Sequence, residues 1–366
     1  MADDLQTAGG AGVSTLYPLT VLATALADGD KKRRQPLPRY VQLEPVGQCN
    51  LRCQMCPIPF RQDGPPHGPP AFMKFETFTK IVDELPELEH LHLQGLGEPM
   101  MHPRFFEMAI YAAERGVRVT TNTNLTLLLN PRRAALAVAC GLDCIHISVD
   151  GATAETYERI RVRARFDRLL RNFQLLDDAR RNVSHPPQLR LVSVVMRQNL
   201  DELAELVRFA HRWSIDEMFV QHLCHDFGES TLPAAYQPMR RFVDSQTLLG
   251  ESPARIERAF AAARRVADEL GVDLRLPSVQ PHLHLPGTPG PERCDWPYRG
   301  AYISYQGFSM PCCMISTPDR MNFGDVTQQD LAAVWHSPAY ESFRRQLASD
   351  TPPEICRSCA IYSGTF

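Results

Sequence analysis

Between residues 39 and 224, short apolar or β-branched runs alternate with amphipathic stretches, and this alternation constrains the fold more than any other feature of the 366-residue chain. A strand, a helix and a further strand return the chain to the same side of a sheet, so repeated units build a parallel sheet covered by helices. Six strands are predicted, at 40–45, 90–94, 117–121, 144–149, 189–196 and 217–223. Pro103 opens one intervening helix, with Phe106, Ala109, Ile110 and Ala113 on a shared face and Gly116 closing it. Asn199, with Glu202 three residues later, reads as a capping box. The expected fold class is α/β: a partial (β/α)6 TIM-like barrel, lacking two units of the eight-stranded form, with its sites at the carboxyl ends of the strands.

Composition narrows the function. With 44% hydrophobic residues, 22% charged and a net charge of -3, the chain is of globular type and carries no electrostatic signal for nucleic acid. The apolar stretch at 16–27 is too short to span a bilayer and is preceded by Asp3 and Asp4 in place of a basic flank, so no membrane or export is expected. A cytoplasmic location follows as the expectation. There, eleven cysteines are better read as thiols or metal ligands than as a disulfide framework.

Cys49, Cys53 and Cys56 follow the first predicted strand directly, in VGQCNLRCQMCPIP. Three thiolates at this spacing complete no closed tetrahedral zinc site, although they could form part of one, a disulfide or a buried apolar patch. In a 4Fe-4S cube with one cysteine per iron they would leave the fourth iron open. After the second strand comes Gly95-Leu96-Gly97-Glu98-Pro99, whose glycines would let backbone approach a ligand, or simply form a tight loop. Asn122 and Asn124 end the third strand, and Ser148-Val149-Asp150-Gly151 ends the fourth.

These motifs, in this order, resemble the signature of the radical SAM superfamily. The resemblance implies a 4Fe-4S cluster on Cys49, Cys53 and Cys56 whose open iron binds S-adenosyl-L-methionine, and reductive cleavage to a 5'-deoxyadenosyl radical that takes a hydrogen atom from the substrate. It assigns Gly95, Gly97, Glu98 and Pro99 to the family's GGEP motif at the methionine amino group. It places Asn122, Ser148 and Asp150 at the cofactor, and Arg161 against the methionine carboxylate, with Arg159, Arg163 and Arg165 as substitutes. Gln221 and the segment VVMRQN (194–199) are candidates for adenine and ribose contacts.

A second set, Cys294, Cys312, Cys356 and Cys359, has the order Cys-x12-Gly-x4-Cys with a distal Cys-x2-Cys, and a hairpin turning at Gln306-Gly307 would bring Cys294 toward Cys312. Four cysteines suit zinc or an iron-sulfur cluster. The pattern resembles the SPASM extension in its short, twitch form, which implies a second, auxiliary 4Fe-4S cluster serving as an electron relay, with Cys313 as an alternative to Cys312. The domain expectation is an extension at 1–38, a radical SAM core at 39–225, a connecting segment at 226–290 with a helix at 253–270, and a small α+β auxiliary-cluster domain at 291–366.

A relay cluster suits a substrate radical that must lose an electron. Dehydrogenation of a polyol or aminosugar is therefore the expected reaction, with Glu229, His222 or Asp226 as general base. Peptide maturation is the alternative, set lower because 38 residues before the first strand are few for a peptide-binding module. Epimerisation would use Cys224, beside His225 and Asp226, as hydrogen donor, and radical decarboxylation is a further option. The expected partners are a small-molecule or peptide substrate and a reducing donor such as flavodoxin or ferredoxin. His282 and His284 read as loop histidines, and a zinc-stabilised binding protein is the non-enzymatic alternative.

Overall fold

Nine strands join in one sheet, in the order β7-β6-β5-β4-β3-β2-β1-β8-β9. They are β1 (Tyr40–Leu43), β2 (His90–Leu93), β3 (Arg118–Thr123), β4 (Leu142–Ser148), β5 (Gln188–Val195), β6 (Glu217–His222), β7 (Asp273–Arg275), β8 (Gly300–Ile303) and β9 (Ser309–Met310). The computed structural model describes residues 34–64, 68–224, 228–230, 232–280, 283–285 and 287–364. By its contacts the chain divides into Met1–Gln35 and Pro36–Phe366, and the fold described here is that of the second unit. Among the described residues no helix is long and apolar enough to cross a membrane.

All neighbouring strands run parallel except β8 and β9. The sheet forms the TIM-like partial barrel, and its helices cover the outer face. Val41, Leu43, Leu91, Leu93, Ile145, Ile147 and Leu191 alternate along the strands, are fully buried, and share one core with helix residues such as Phe78, Phe105 and Phe173.

Six strands are where the alternation predicts them, but the sheet does not stop there. The segment read as a connection supplies β7, which pairs in parallel with β6. The C-terminal region extends the other edge, because β8 takes the backbone of β1 in register from Tyr40↔Gly300 to Leu43↔Ile303. Each addition leaves fewer unpaired backbone groups at an edge. The helix at Pro253–Leu270 has the expected bounds, with Gly271 ending it at φ 69°.

Two local expectations are corrected. The helix opened near Pro103 spans Phe105–Ala113 and buries Phe105, Met108, Ala109 and Ala112, while Ile110 is 38% exposed. FFEMAIYAA is apolar nearly all round, so its sequence leaves the phase open and packing decides it. Asn199 caps no helix with its side chain: its Nδ2 donates to the carbonyls of Asp150 and Val194, and its Oδ1 accepts from the Met196 amide. Glu202 reaches away to the Ala152 amide and the Thr153 and Thr156 hydroxyls.

The inner face is polar. His90 Nε2 and His92 Nδ1 each lie 2.7 Å from Thr120 Oγ1, and His92 Nε2 lies 3.1 Å from Gln94 Oε1. The Gln94 amide nitrogen donates to Gly95 O, so its oxygen is the acceptor toward His92. His92 is therefore protonated on Nε2, Thr120 donates to its Nδ1, and His90 donates to Thr120. Burial lowers the His90 and His92 imidazoles to about 4 and about 3, and holds His146 well below its usual range.

A group kept neutral in the fold but protonated in the unfolded chain favours unfolding below its unfolded value near 6.5. Stability should be complete above that pH and fall as the pH drops toward 4, by roughly 2 kcal/mol at pH 5 for each of His90 and His92. Urea titrations across this window should show a shallower pH slope for His92→Gln than for the wild type. Equal slopes would refute the assignment.

Candidate active site

The loop after β1 carries the first three cysteines and is clamped from two sides. Arg52 N donates to Val162 O at 2.9 Å and Gln54 N to Ile160 O at 3.0 Å, tying the loop to the segment after β4. Inside the loop, Cys56 N reaches Cys53 O at 3.1 Å. Below it, Arg61 is buried between Glu44 (2.8 Å) and Asp63 (2.7 Å), and Glu44 also accepts from the amides of Leu96 and Tyr305. This network joins the cysteine loop, the turn after β2 and the C-terminal hairpin. Nothing local in the sequence announces it.

The glycines of the turn after β2 are packed against the cysteine loop. A Cβ on Gly95 would stand 2.2 Å from Glu44 Cγ, and one on Gly97 would stand 2.0 Å from Val46 O and 2.5 Å from Gln48 O. They let this turn press against the cysteine loop, and Glu98 N donates to Gln48 O at 3.0 Å. The Glu98 carboxylate is 3% exposed and accepts from Thr123 Oγ1 (2.7 Å) and the amides of Asn124 (2.8 Å) and Met100 (3.3 Å). Burial raises its pKa. Pro99 opens the short turn Pro99–Met101 that follows.

Four arginines compete in ERIRVRAR, and the backbone separates them. Arg161 closes helix Ala154–Ile160 and points inward, where it pairs with Asp150 at 2.6 Å and brings Nη1 to 3.9 Å from Cys53 Sγ. Arg159 goes to Glu155 and Gln198, Arg165 to Glu158 and Asp167, and Arg163 is exposed at φ 75°. Asp150 also accepts from Val194 N at 2.8 Å. On the other side, Asn124 Nδ2 lies 3.8 Å from Cys49 Sγ and 3.1 Å from Asn50 Oδ1. Asn124 therefore stands at the cysteine loop, with Asn122 one inward-facing position further back on β3. Ser148 and Gln221 sit half-buried on the ends of β4 and β6.

Of the remaining candidates, Cys224 is half-buried just past β6. His222 Nε2 meets Ser278 O at 2.8 Å. Glu229, one of the three candidate bases, is buried in an ion pair with Arg320 through Oε1, while its Oε2 is buried without a hydrogen-bond partner. His225, Asp226 and His282 lie outside the described residues, and His284 is a half-buried loop residue.

The donor set fits an iron-sulfur cluster and a polar cofactor. Burial raises all three loop thiols, Cys56 to about 12, and the Cys53 charge adds to the rise at Cys49 and Cys56, so they hold negative charge only if a metal takes the place of their protons. Among the described residues no three Cys, His, Asp or Glu side chains converge closely enough to ligate a single ion; one cysteine per iron sets the thiolates at separate corners of a cube. Beside Cys53, Arg161 Nε and the Tyr157 hydroxyl are buried without hydrogen-bond partners, capacity that a polar ligand would use.

The second set is also assembled. Cys312 follows β9, and its thiol is raised by burial and by the neighbouring Cys313, Cys294, Cys359 and Cys356. Cys294 and Cys356 are raised to about 11 and about 12. Gly307, at φ 98°, turns the hairpin as expected.

A family profile described as the radical SAM superfamily matches residues 43–210, and one described as an iron-sulfur cluster-binding SPASM domain matches 294–360. The chain belongs to the radical SAM superfamily. It is an enzyme of that superfamily with a C-terminal SPASM domain, and its cofactors are 4Fe-4S clusters and S-adenosylmethionine. The chain is 26% identical over 344 residues to a tungsten-containing aldehyde ferredoxin oxidoreductase cofactor-modifying protein of Pyrococcus furiosus, covering 88% of this chain and 87% of the relative. It is 27% identical over 331 residues to a PqqA peptide cyclase of Methylobacterium sp., covering 88% and 79%. Among solved structures, SuiB of Streptococcus suis bound to S-adenosylmethionine superposes with a TM-score of 0.63 at 17% identity, covering 89% of this chain and 72% of that one, a likeness of fold.

Proposed function

We propose that this radical SAM enzyme modifies a peptide. The observation that carries the reading is the similarity to PqqA peptide cyclases along 88% of the chain. Polyol or aminosugar dehydrogenation, the expectation from a relay cluster, is described for none of the relatives named above. When bound, the first cluster and S-adenosylmethionine supply the oxidant that removes a hydrogen atom from the substrate.

The residues divide the remaining work. Cys49, Cys53 and Cys56 ligate the first cluster. Arg161, fixed by Asp150, presents a guanidinium to an anionic group of the cofactor, and Glu98 holds Thr123 and Asn124 in place around it. Cys294, Cys312, Cys356 and Cys359 hold the auxiliary cluster, with Cys313 next in line. A low-potential donor of flavodoxin or ferredoxin type supplies the electron.

The test measures deoxyadenosine release by anaerobically reconstituted enzyme with S-adenosylmethionine and dithionite. Pools of capped peptides should stimulate release by roughly tenfold or more, and a polyol and aminosugar panel should not. The reverse pattern would overturn the peptide reading. Cys356→Ala should keep cofactor cleavage within about threefold while lowering conversion of the peptide at least about tenfold. If both were unchanged, the auxiliary assignment would fail.

A further inference from the structure

Strand register sets Asn122, His146, Arg190 and Glu217 side by side on β3, β4, β5 and β6, as one rung across the inner face of the barrel. On β4 this rung lies four residues before Asp150, which follows the strand and fixes Arg161 beside Cys53. Glu217 is shared by Arg190 and Arg275, and Arg190 Nη1 reaches His146 Nε2 at 3.5 Å. A guanidinium can only donate, so Nε2 is the accepting nitrogen and the His146 proton sits on Nδ1. Burial, with the neighbouring His92 and Arg190, keeps the ring neutral.

Among the described residues, Nδ1 of His146 has no partner. Asn122 Oδ1 is buried without a partner, and no described residue bonds its Nδ2. Both residues are half-buried and lie on the inner face with His92, whose ring is 5.5 Å from that of His146. The rung thus offers one acceptor and two kinds of N–H donor.

We propose that Asn122 and His146 recognise an amide of the substrate, holding the peptide backbone inside the barrel; this rests on the peptide reading above. An amide matches the rung because it brings both a C=O for the donors and an N–H for Asn122 Oδ1. A carboxylate would leave that oxygen facing another acceptor, and an apolar group would leave every one of these polar atoms unmet. His146 acts as a donor and not as a base, since its lone pair faces Arg190.

Two measurements separate this proposal from the reading beneath it. Nitrogen-15 NMR of histidine-labelled, oxidised holoenzyme reports the His146 tautomer with no substrate present. A proton on Nδ1 is expected, and one on Nε2, or a charged ring, overturns the proposal whatever the substrate. The second uses random-sequence capped hexapeptides as the probe and deoxyadenosine release as the signal. Asn122→Ala and His146→Phe should each raise the half-saturating peptide concentration about tenfold, more than any fall in maximal rate. His146→Asn, which restores an N–H near the Nδ1 position, should recover most of that shift. An unchanged half-saturation in Asn122→Ala overturns the rung and leaves the peptide reading standing, whereas a pool that fails to stimulate the wild type overturns both.

Discussion

Cys53→Ala should abolish cofactor cleavage, lowering deoxyadenosine formation by at least about 1,000-fold, and should reduce bound iron from about eight to about four per chain. Cys53 is the thiol nearest Arg161, at 3.9 Å, so its loss removes a ligand and leaves the arginine facing a gap where the cluster would sit. The four C-terminal cysteines are built on separate elements, at the end of helix Gly290–Arg293, after β9 and around helix Glu354–Arg357, and should keep their own cluster. Iron and sulfide analysis with a cleavage assay checks both halves. Retention of about eight irons with normal cleavage would show that Cys53 is not a ligand.

Arg61→Leu should be the most destabilising single change away from the cysteines. Both ends of the Arg61–Glu44 pair are fully buried, and Arg61 holds Asp63 as well. Removing the arginine strands Glu44 beside Asp63 with no cation, and breaking a buried pair this way costs roughly 3–5 kcal/mol. The effect should spread, because Tyr305 of the hairpin donates to Asp63 O at 2.6 Å and its amide donates to Glu44. Calorimetry should show a lowered unfolding transition, and reconstitution should load less iron at both cysteine sets. Asp63→Asn keeps the Arg61–Glu44 contact and should cost about 1 kcal/mol. Equal losses in the two variants would refute the ranking.

Repeating patterns and rigid spacings were the legible part of this chain. The six parallel strands followed from alternation, and helix Pro253–Leu270 from Pro253 and Gly271 at its ends. Both cysteine sets were visible because ligand spacing is a local property. Long-range pairing was not. β7 has three residues, too few for a period to show, and the parallel pairing of β1 with β8 joins positions 260 residues apart, from Tyr40↔Gly300 on. The choice of Arg161 among four arginines depends on where helix Ala154–Ile160 ends. Gly95 and Gly97 show in sequence only that backbone must come close to something, and the packing adds that Glu44 and the cysteine loop are among the neighbours. Asn122 and Asn124 are equivalent by pattern, and only the packing sets Asn124 against Cys49.

Mössbauer spectroscopy of iron-57-reconstituted enzyme, recorded with and without S-adenosylmethionine, tests the two-cluster arrangement most directly. About eight irons per chain should appear as two 4Fe-4S clusters, and the cofactor should shift the signal of one iron in eight, the open corner of the cluster held by Cys49, Cys53 and Cys56. Stoichiometric zinc in place of iron, or a spectrum that does not respond to the cofactor, would contradict it.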